Sequence, residues 1–262
     1  MPVERFGASA GGVRLQVDGA VATVTLDRPP RNAQVPSTWE ALAAIPDQLP
    51  DNVSVIVLRA TGRIFSAGLD LAMLKPEGVV GEPTAAELAA DPRLDDRIAS
   101  FQDGFTWWAD HPAISIAVVQ GHAVGAGFQL ALAADLRVLT TTASFAMAEI
   151  TLGLVPDLGG PRRLAVLAGP AAALDLVATG RAVTAAEAAR LGLADRVAQP
   201  ELLEAEVDQL VRSLLAVPEA ALRAAKGLMS GVLERSRDQQ LARDRAAQAP
   251  LLRALVTRSP SA

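Results

Sequence analysis

The sequence predicts a mixed α/β fold with an α-helical tail, and three observations carry that expectation. A pair of strand-rich runs opens the chain. A pattern of apolar strand, glycine turn and helix-like sequence then occurs twice, at 53–71 and 113–135. Beyond Pro156 the chain is mostly helical in pattern.

In order, "VRLQV" and "VATVTL" flank Asp18-Gly19, a dipeptide suited to a tight hairpin. Ser37 with Glu40 fits a capping box for a helix running toward Leu49, with Pro46 expected to kink it or end it early. "VSVIVLRA", Val53 to Ala60, is almost continuously apolar, as in a strand covered on both faces. Lys75 to Pro92 is rich in Pro, Gly and acids around "TAAELAA" and reads as a surface excursion. Leu94 to Asp110 reads as a helix. "AISIAVVQ" then leads through "GHAVGAG" into "FQLALAADLRV". Thr184 with Glu187 forms a second candidate capping box, and Pro200 to Val256 carries several apolar-periodic segments. The expected organisation is one principal domain over residues 1–199 and a helical C-terminal region over 200–262.

Composition narrows the function. Half of the 262 residues are hydrophobic, enough for a sizeable core, and no apolar run approaches the roughly 18 residues of a membrane span. With no Cys, disulfides and thiolate chemistry are excluded. "MPVERFGASAGG" has neither the basic start nor the apolar stretch of a secretory signal, so a cytoplasmic protein is expected. A net charge of −5 with scattered basic residues shows no nucleic-acid footprint and no polybasic membrane patch, which leaves small molecules as the expected partners.

The chemistry concentrates in the turns "FSAGLDL" (Phe65 to Leu71) and "GHAVGAG" (Gly121 to Gly127). Each stands where a strand ends and helix-like sequence starts. Glycine lets a backbone approach a ligand, and N–H groups at a helix start are unpaired and electropositive, so two converging turns could hold one developing oxyanion. Packing alone is the other reading of such a pair. No Walker loop or dinucleotide fingerprint is present, and no His/Cys cluster points to a metal.

"FSAGLDL", "GHAVGAGFQLALAADLRV" and "SFAMAEITLGLVPDLGGPRRL" together resemble, in order and spacing, the enoyl-CoA hydratase/isomerase (crotonase) family. The resemblance runs from the hairpin near Val13 through "RPPRNA" to the tail. It implies a crotonase-like spiral of repeated ββα units, an α-helical C-terminal trimerisation region, and a homotrimer or a hexamer built as a dimer of trimers. Its ligand would be an acyl-CoA thioester, with coenzyme A part of the substrate and no separate cofactor.

Carried over residue by residue, the resemblance places the two oxyanion donors on the main-chain N–H groups of Leu69 and Ala126. The second position is commonly glycine, so Ala126 adds a methyl group. The first catalytic glutamate of the family falls on Gln129 and the second on Glu149. One of the two acids that hydratases use is therefore an amide, which can orient water but cannot titrate. Hydration suffers from that loss; double-bond migration needs only one carboxylate, and Glu149 would supply it. Asp157 matches an acid that dienoyl-CoA isomerases of the family use, although those enzymes usually carry Asp where this chain has Gln129.

Plainer roles stand beside these. Glu149 could be a solvated carboxylate, although "FAMAEITLGL" is an apolar setting that would raise its pKa. Asp157 could cap the helix that begins near Gly160 and Pro161. Gln129 reads either as a substrate or water contact or as a helix-surface residue. His122 reads as a structural turn residue. For coenzyme A the resemblance implies main-chain contacts around Ser66, Ala67, Gly68 and Asp70, with Gly125 in the facing turn. Arg28 and Arg31 are candidates for the basic residues near the mouth, with Lys226 a candidate from the tail, although each reads first as a plain solvated surface charge. The expected activity is double-bond isomerisation of an enoyl-CoA, with one-glutamate hydration and a catalytically silent acyl-CoA binding protein as the alternatives.

Overall fold

The computed structural model describes residues 10–258. Most of the N-terminal segment weighed above as a leader lies outside them. Along the chain the elements are β1 (Val13–Asp18), β2 (Val21–Leu26), α1 (Pro36–Ala43), β3 (Val55–Ala60), α2 (Ala85–Ala90), α3 (Leu94–Asp110), β4 (Ile114–Val119), β5 (His122–Val124) and α4 (Ala126–Ala133). There follow β6 (Leu136–Thr140), β7 (Ser144–Ala146), α5 (Gly160–Ala168), α6 (Pro170–Thr179), β8 (Ala182–Thr184), α7 (Ala185–Arg190), β9 (Arg196–Ala198), α8 (Leu203–Leu215), α9 (Glu219–Met229) and α10 (Arg237–Arg258).

β1 and β2 form the expected antiparallel hairpin, closed through Gly19 at a φ of 56° that suits glycine. From β2 onward the large sheet is parallel, in the order β1-β2-β3-β4-β6-β9. A small sheet, β5-β7-β8, stands beside it, and an isolated bridge between Ser66 and Ala123 extends it by one more segment. The chain thus repeats one move: a long strand into the large sheet, a short extended piece into the small one, then a helical turn. This is the crotonase spiral of ββα units. The move occurs a third time, where β6 and β7 lead into a 3-10 turn over Ala148–Leu152. That turn is too short to show helical periodicity in the sequence.

Both faces of the large sheet are covered, which is why β3 and β4 read as nearly continuous apolar runs, broken by Arg59 and Ser115. Ile56, Leu58, Ala117, Val119 and Leu139 face the main core with Trp39, Phe105, Trp108 and Phe128. Val55, Val57, Ile116, Val118 and Val138 face the other way and pack on Leu203, Val207 and Leu210 of α8. The helical C-terminal segment therefore closes one side of the sheet.

Local signals hold with two corrections. α3 spans the expected residues, and α1 stops at Ala43, ahead of Pro46, which starts a separate 3-10 turn. Yet Ser37 is not the cap of α1. The helix starts a residue earlier, at Pro36, whose fixed φ and missing N–H suit a first helical position. Ser37 and its N–H instead hold Glu82 of the 75–92 excursion, and Glu40 faces Arg97 at 3.6 Å. At α7, Thr184 accepts the Glu187 N–H (3.3 Å), but the Glu187 carboxylate turns away to Arg181 (2.9 Å), leaving half of the box. The excursion runs over the surface as expected, with no residue from 75 to 92 buried.

Candidate active site

The first glycine turn is shaped by a buried polar network. The Ser66 hydroxyl donates to Asn32 O (2.7 Å) and accepts from Gln34 Nε2 (3.1 Å) and from the Gly68 N–H (3.1 Å). That uses its full donor and acceptor capacity, so Ser66 is an anchor and not a nucleophile. Gln34 is fixed in turn by Trp39, whose indole N–H donates to its carbonyl oxygen (2.9 Å). Asn32, at a φ of 49°, donates to Thr61 O and Ile64 O. Around Leu69 the chain forms a single parallel bridge to Gln34. The Gln34 N–H goes to Gly68 O and the Asp70 N–H goes to Gln34 O, so the N–H of Leu69 points to the opposite side. It has no acceptor among the described residues.

The second turn places Gly125 at φ 53°, ψ −122°, immediately before Ala126 opens α4. Ala126 is the first helical residue, so its N–H has no partner within the helix, and it has none among the other described residues. Every residue of α4 is buried. Its C-terminal carbonyls are taken by guanidinium groups: Arg163 on Leu132 O (3.0 Å) and Ala134 O (2.9 Å), Arg137 on Ala134 O (2.8 Å). Cations thus neutralise the negative end of the helix dipole, and the positive end is open at the turn. The two turns touch at Gly68. A β-carbon there would lie 2.4 Å from Val124 O and 3.3 Å from Ala126 N.

Glu149 stands in the 3-10 turn after β7. Its Oε1 accepts from Gln129 Nε2 at 2.8 Å, and its Oε2 is buried with no partner. Burial pushes its carboxyl up. The main-chain N–H of Glu149 and the Gln129 amide pull the other way, and the charge of Asp157 adds to the rise. An unpaired carboxylate oxygen away from bulk water is costly to structure and suited to carrying a proton. The helix-surface reading of Gln129 does not hold: it is 1% exposed. Its Oε1 accepts the N–H groups of Leu158 (2.9 Å) and Gly160 (3.2 Å), so both lone pairs are engaged.

Asp157 does not cap α5. That helix begins behind Gly159 with no side-chain cap. Asp157 is open to solvent, yet burial against the surrounding protein pushes its carboxyl up, against a lowering pull from its own main-chain N–H. Gln102 of α3 holds the same turn by donating to Asp157 O (2.6 Å).

The charged candidates separate. Arg28 pairs with Asp70 at 2.7 Å and also reaches Ala33 O (2.9 Å). Burial raises the Asp70 carboxyl, but the Ala72 N–H, the bond to Arg28 and its charge outweigh that and hold it low. Arg31 is exposed, and its carbonyl receives the Ala67 N–H (3.0 Å). Lys226 is corrected outright. Its ammonium is buried and donates to Trp108 O, Ala113 O and Asp135 Oδ2, each at 2.7 Å, which uses all three of its protons. It ties α9 to the core and has no donor left for a phosphate. His122, by contrast, sits in β5 on Ser144 (2.7 Å), the structural role expected of it. The residues missed in the sequence are the supports Asn32, Gln34, Trp39, Gln102, Arg137 and Arg163. The polar run "RNAQ" between apolar segments was the available signal for the first two.

Two main-chain N–H groups without acceptors among the described residues, and a desolvated carboxylate packed against Gly125, are groups able to stabilise a negative oxygen and to move a proton. The chain belongs to the enoyl-CoA hydratase/isomerase family, whose model matches residues 16–256. It is 34% identical to probable enoyl-CoA hydratase EchA17 of Mycobacterium tuberculosis over 87% of this chain and 84% of that protein. It is 38% identical to carnitinyl-CoA dehydratase of Salmonella arizonae over 82% and 78%. A Thermobifida fusca structure designated an enoyl-CoA hydratase superposes with a TM-score of 0.89 at 46% identity, covering 96% of each chain. That protein has also been seen in complex with acetoacetyl-CoA, a structure that matches with a TM-score of 0.88.

Proposed function

We propose that this enzyme shifts a carbon–carbon double bond within an enoyl-CoA thioester. The observation that carries the reading is the state of the Gln129–Glu149 pair, in which Glu149 Oε2 alone is left free to take a proton. The thioester oxygen sits between the N–H groups of Leu69 and Ala126. Glu149 removes the proton next to the thioester, the C–H electron pair moves into the enolate, and the two donors stabilise the developing oxyanion. Glu149 then returns the proton further along the chain as the double bond shifts, and the carboxylate is regenerated. Asp157 stands as a second acid for a longer shift in a dienoyl substrate. The acetoacetyl-CoA complex of the Thermobifida fusca protein supports a thioester ligand; its placement against Ser66 to Asp70, Gly125, Arg28 and Arg31 is part of the proposal.

Hydration is the second reading, favoured by the designation of the relatives as hydratases. One assay separates the two: purified protein against 2-enoyl-, 3-enoyl- and 3,5-dienoyl-CoA of several lengths. Isomerisation should dominate, and Glu149→Gln should lower it by about 10² or more with acyl-CoA affinity largely kept. Efficient hydration by the parent would overturn the preference, and tight binding with only trace turnover would make the protein an acyl-CoA binder.

The same proposal includes a trimer or paired trimers, supported by exposed apolar side chains such as Val155 (66%), Leu174 (69%) and Leu233 (70%). Light scattering on the purified protein tests it. No described helix is long and apolar enough to cross a membrane. Cytoplasmic residence and the 1–199/200–262 division are part of the proposal, tested by cell fractionation and limited proteolysis.

A further inference from the structure

We propose that Gln129 is a positioning residue, a clamp that pins Glu149 by one carboxylate oxygen to the 158–160 turn and leaves the other oxygen as the working atom. The inference rests on Glu149 being the proton-transfer group.

The geometry makes the amide necessary. Two main-chain N–H groups, from Leu158 and Gly160, converge on one end of the Gln129 side chain. Only an oxygen satisfies them, so the NH₂ end must face Glu149, and the orientation of the amide follows without ambiguity. The donated bond of 2.8 Å then holds Oε1. Gly125 closes the same oxygen from the other side, since a β-carbon there would come within 3.3 Å of it. Gly160 is equally constrained. A β-carbon at 160 would lie 2.6 Å from Gln129 Cγ and 2.8 Å from its Oε1, so the start of α5 comes this near the amide only as glycine. Gln102 holds the turn from α3 through Asp157 O. The carboxylate that works and the turn that carries Asp157 are therefore set by one side chain.

A glutamate at 129 would keep the acceptor for Leu158 and Gly160 and lose the donor to Glu149. Two carboxylates would then meet at hydrogen-bond distance and share one proton. The amide is thus the residue that satisfies the turn while leaving Glu149 to titrate alone at that contact. Among the described residues, Asp157 is the other charged group whose field reaches Glu149.

The test uses the full chain labelled with ¹³C at glutamate carboxyls, the Glu149 signal being assigned by its loss in Glu149→Gln. Titrations of the parent, Gln129→Glu and Gln129→Met are read beside pH profiles of kcat and KM. Gln129→Glu should move the Glu149 midpoint and the acid limb of kcat upward by about one pH unit or more, with KM for the thioester changed far less. Gln129→Met, which has neither donor nor acceptor, should also move the midpoint upward. If it fails to fold, Gln129→Glu, which keeps the turn satisfied, still decides. An unmoved Glu149 midpoint in folded Gln129→Glu overturns the clamp. A moved midpoint in a protein whose Glu149→Gln variant keeps full turnover leaves the clamp standing and removes the catalytic reading instead.

Discussion

The glycine turn after β3 and the glycine turn after β4 carry the same group, a main-chain N–H without a partner among the described residues, but they hold it by opposite means. Ala126 is fixed from behind, as the first residue of a helix buried on every side whose far end is taken by Arg137 and Arg163. Leu69 precedes only a four-residue 3-10 turn, Leu71–Leu74, with Asp70 as its cap. It is no helix-start donor, contrary to what the sequence pattern suggested. Its direction comes from the hydroxyl and amide network of Ser66, Gln34, Asn32 and Trp39. One donor rests on packing and dipole, the other on discrete hydrogen bonds, so the two should fail in different ways.

The largest effect is expected at Ala126. Proline suits the first position of a helix, so Ala126→Pro deletes the N–H while keeping α4, at some cost in packing against Gly68, and should lower turnover by about 10² or more in protein whose fold is checked by circular dichroism. Full activity in a folded variant would remove Ala126 from the oxyanion hole. Ser66→Ala strips the first turn of its hub and leaves Gly68 N–H and Gln34 unsatisfied. It should cost roughly 1–3 kcal/mol in denaturant melts and slow turnover without altering the Glu149 pH limb. If stability is unchanged, the network is not what holds that turn.

A smaller effect belongs to Glu149. Its folded pKa is raised above the ordinary 4.5 by burial, so the native state favours the protonated form, and stability falls as pH rises from that value through the folded pKa. Glu149→Gln removes the penalty. Its Tm should exceed that of the parent at pH 7 and meet it below pH 4, as checked by melts across that range. Smallest of all is Leu69→Ala, which keeps its N–H and should change kcat by no more than a few-fold. A large loss there would mean that the half-buried side chain, packed against the main core, sets the turn as much as the network does.

What was legible in the sequence follows the range of the interactions. The hairpin, α3, the apolar strands and both glycine turns are set by neighbours a few residues away, and they stand where periodicity and turn chemistry put them. The desolvation of Glu149 was legible because its apolar setting is local, while its position came from the family resemblance. Gln129 was half legible. The family resemblance marked the position, but its partners, Leu158 and Gly160, lie 29 and 31 residues on. Lys226 was misread for the same reason. A lone lysine in "AALRAAKGLM" looks solvated, whereas the carbonyls of Trp108 and Ala113 that bury it lie 118 and 113 residues away. The cap proposed for Asp157 failed because Gly159 starts α5 without a side-chain acceptor.

The packing of Leu203, Val207 and Leu210 against Val55, Val57, Ile116, Val118 and Val138 also sets an order of events during synthesis. The ribosome delivers β2, β3, β4 and β6 well before α8, at about 5–20 residues per second, so one face of the parallel sheet stays wet and apolar for several seconds on each nascent chain. Through that interval the strands have hydrogen-bonding partners but no cover on that face. Both glycine turns are already synthesised, yet the layer that backs the strands leading into them is missing. A nascent chain of this enzyme is therefore most exposed to chaperones and to aggregation after its parallel strands have been made and before α8 arrives.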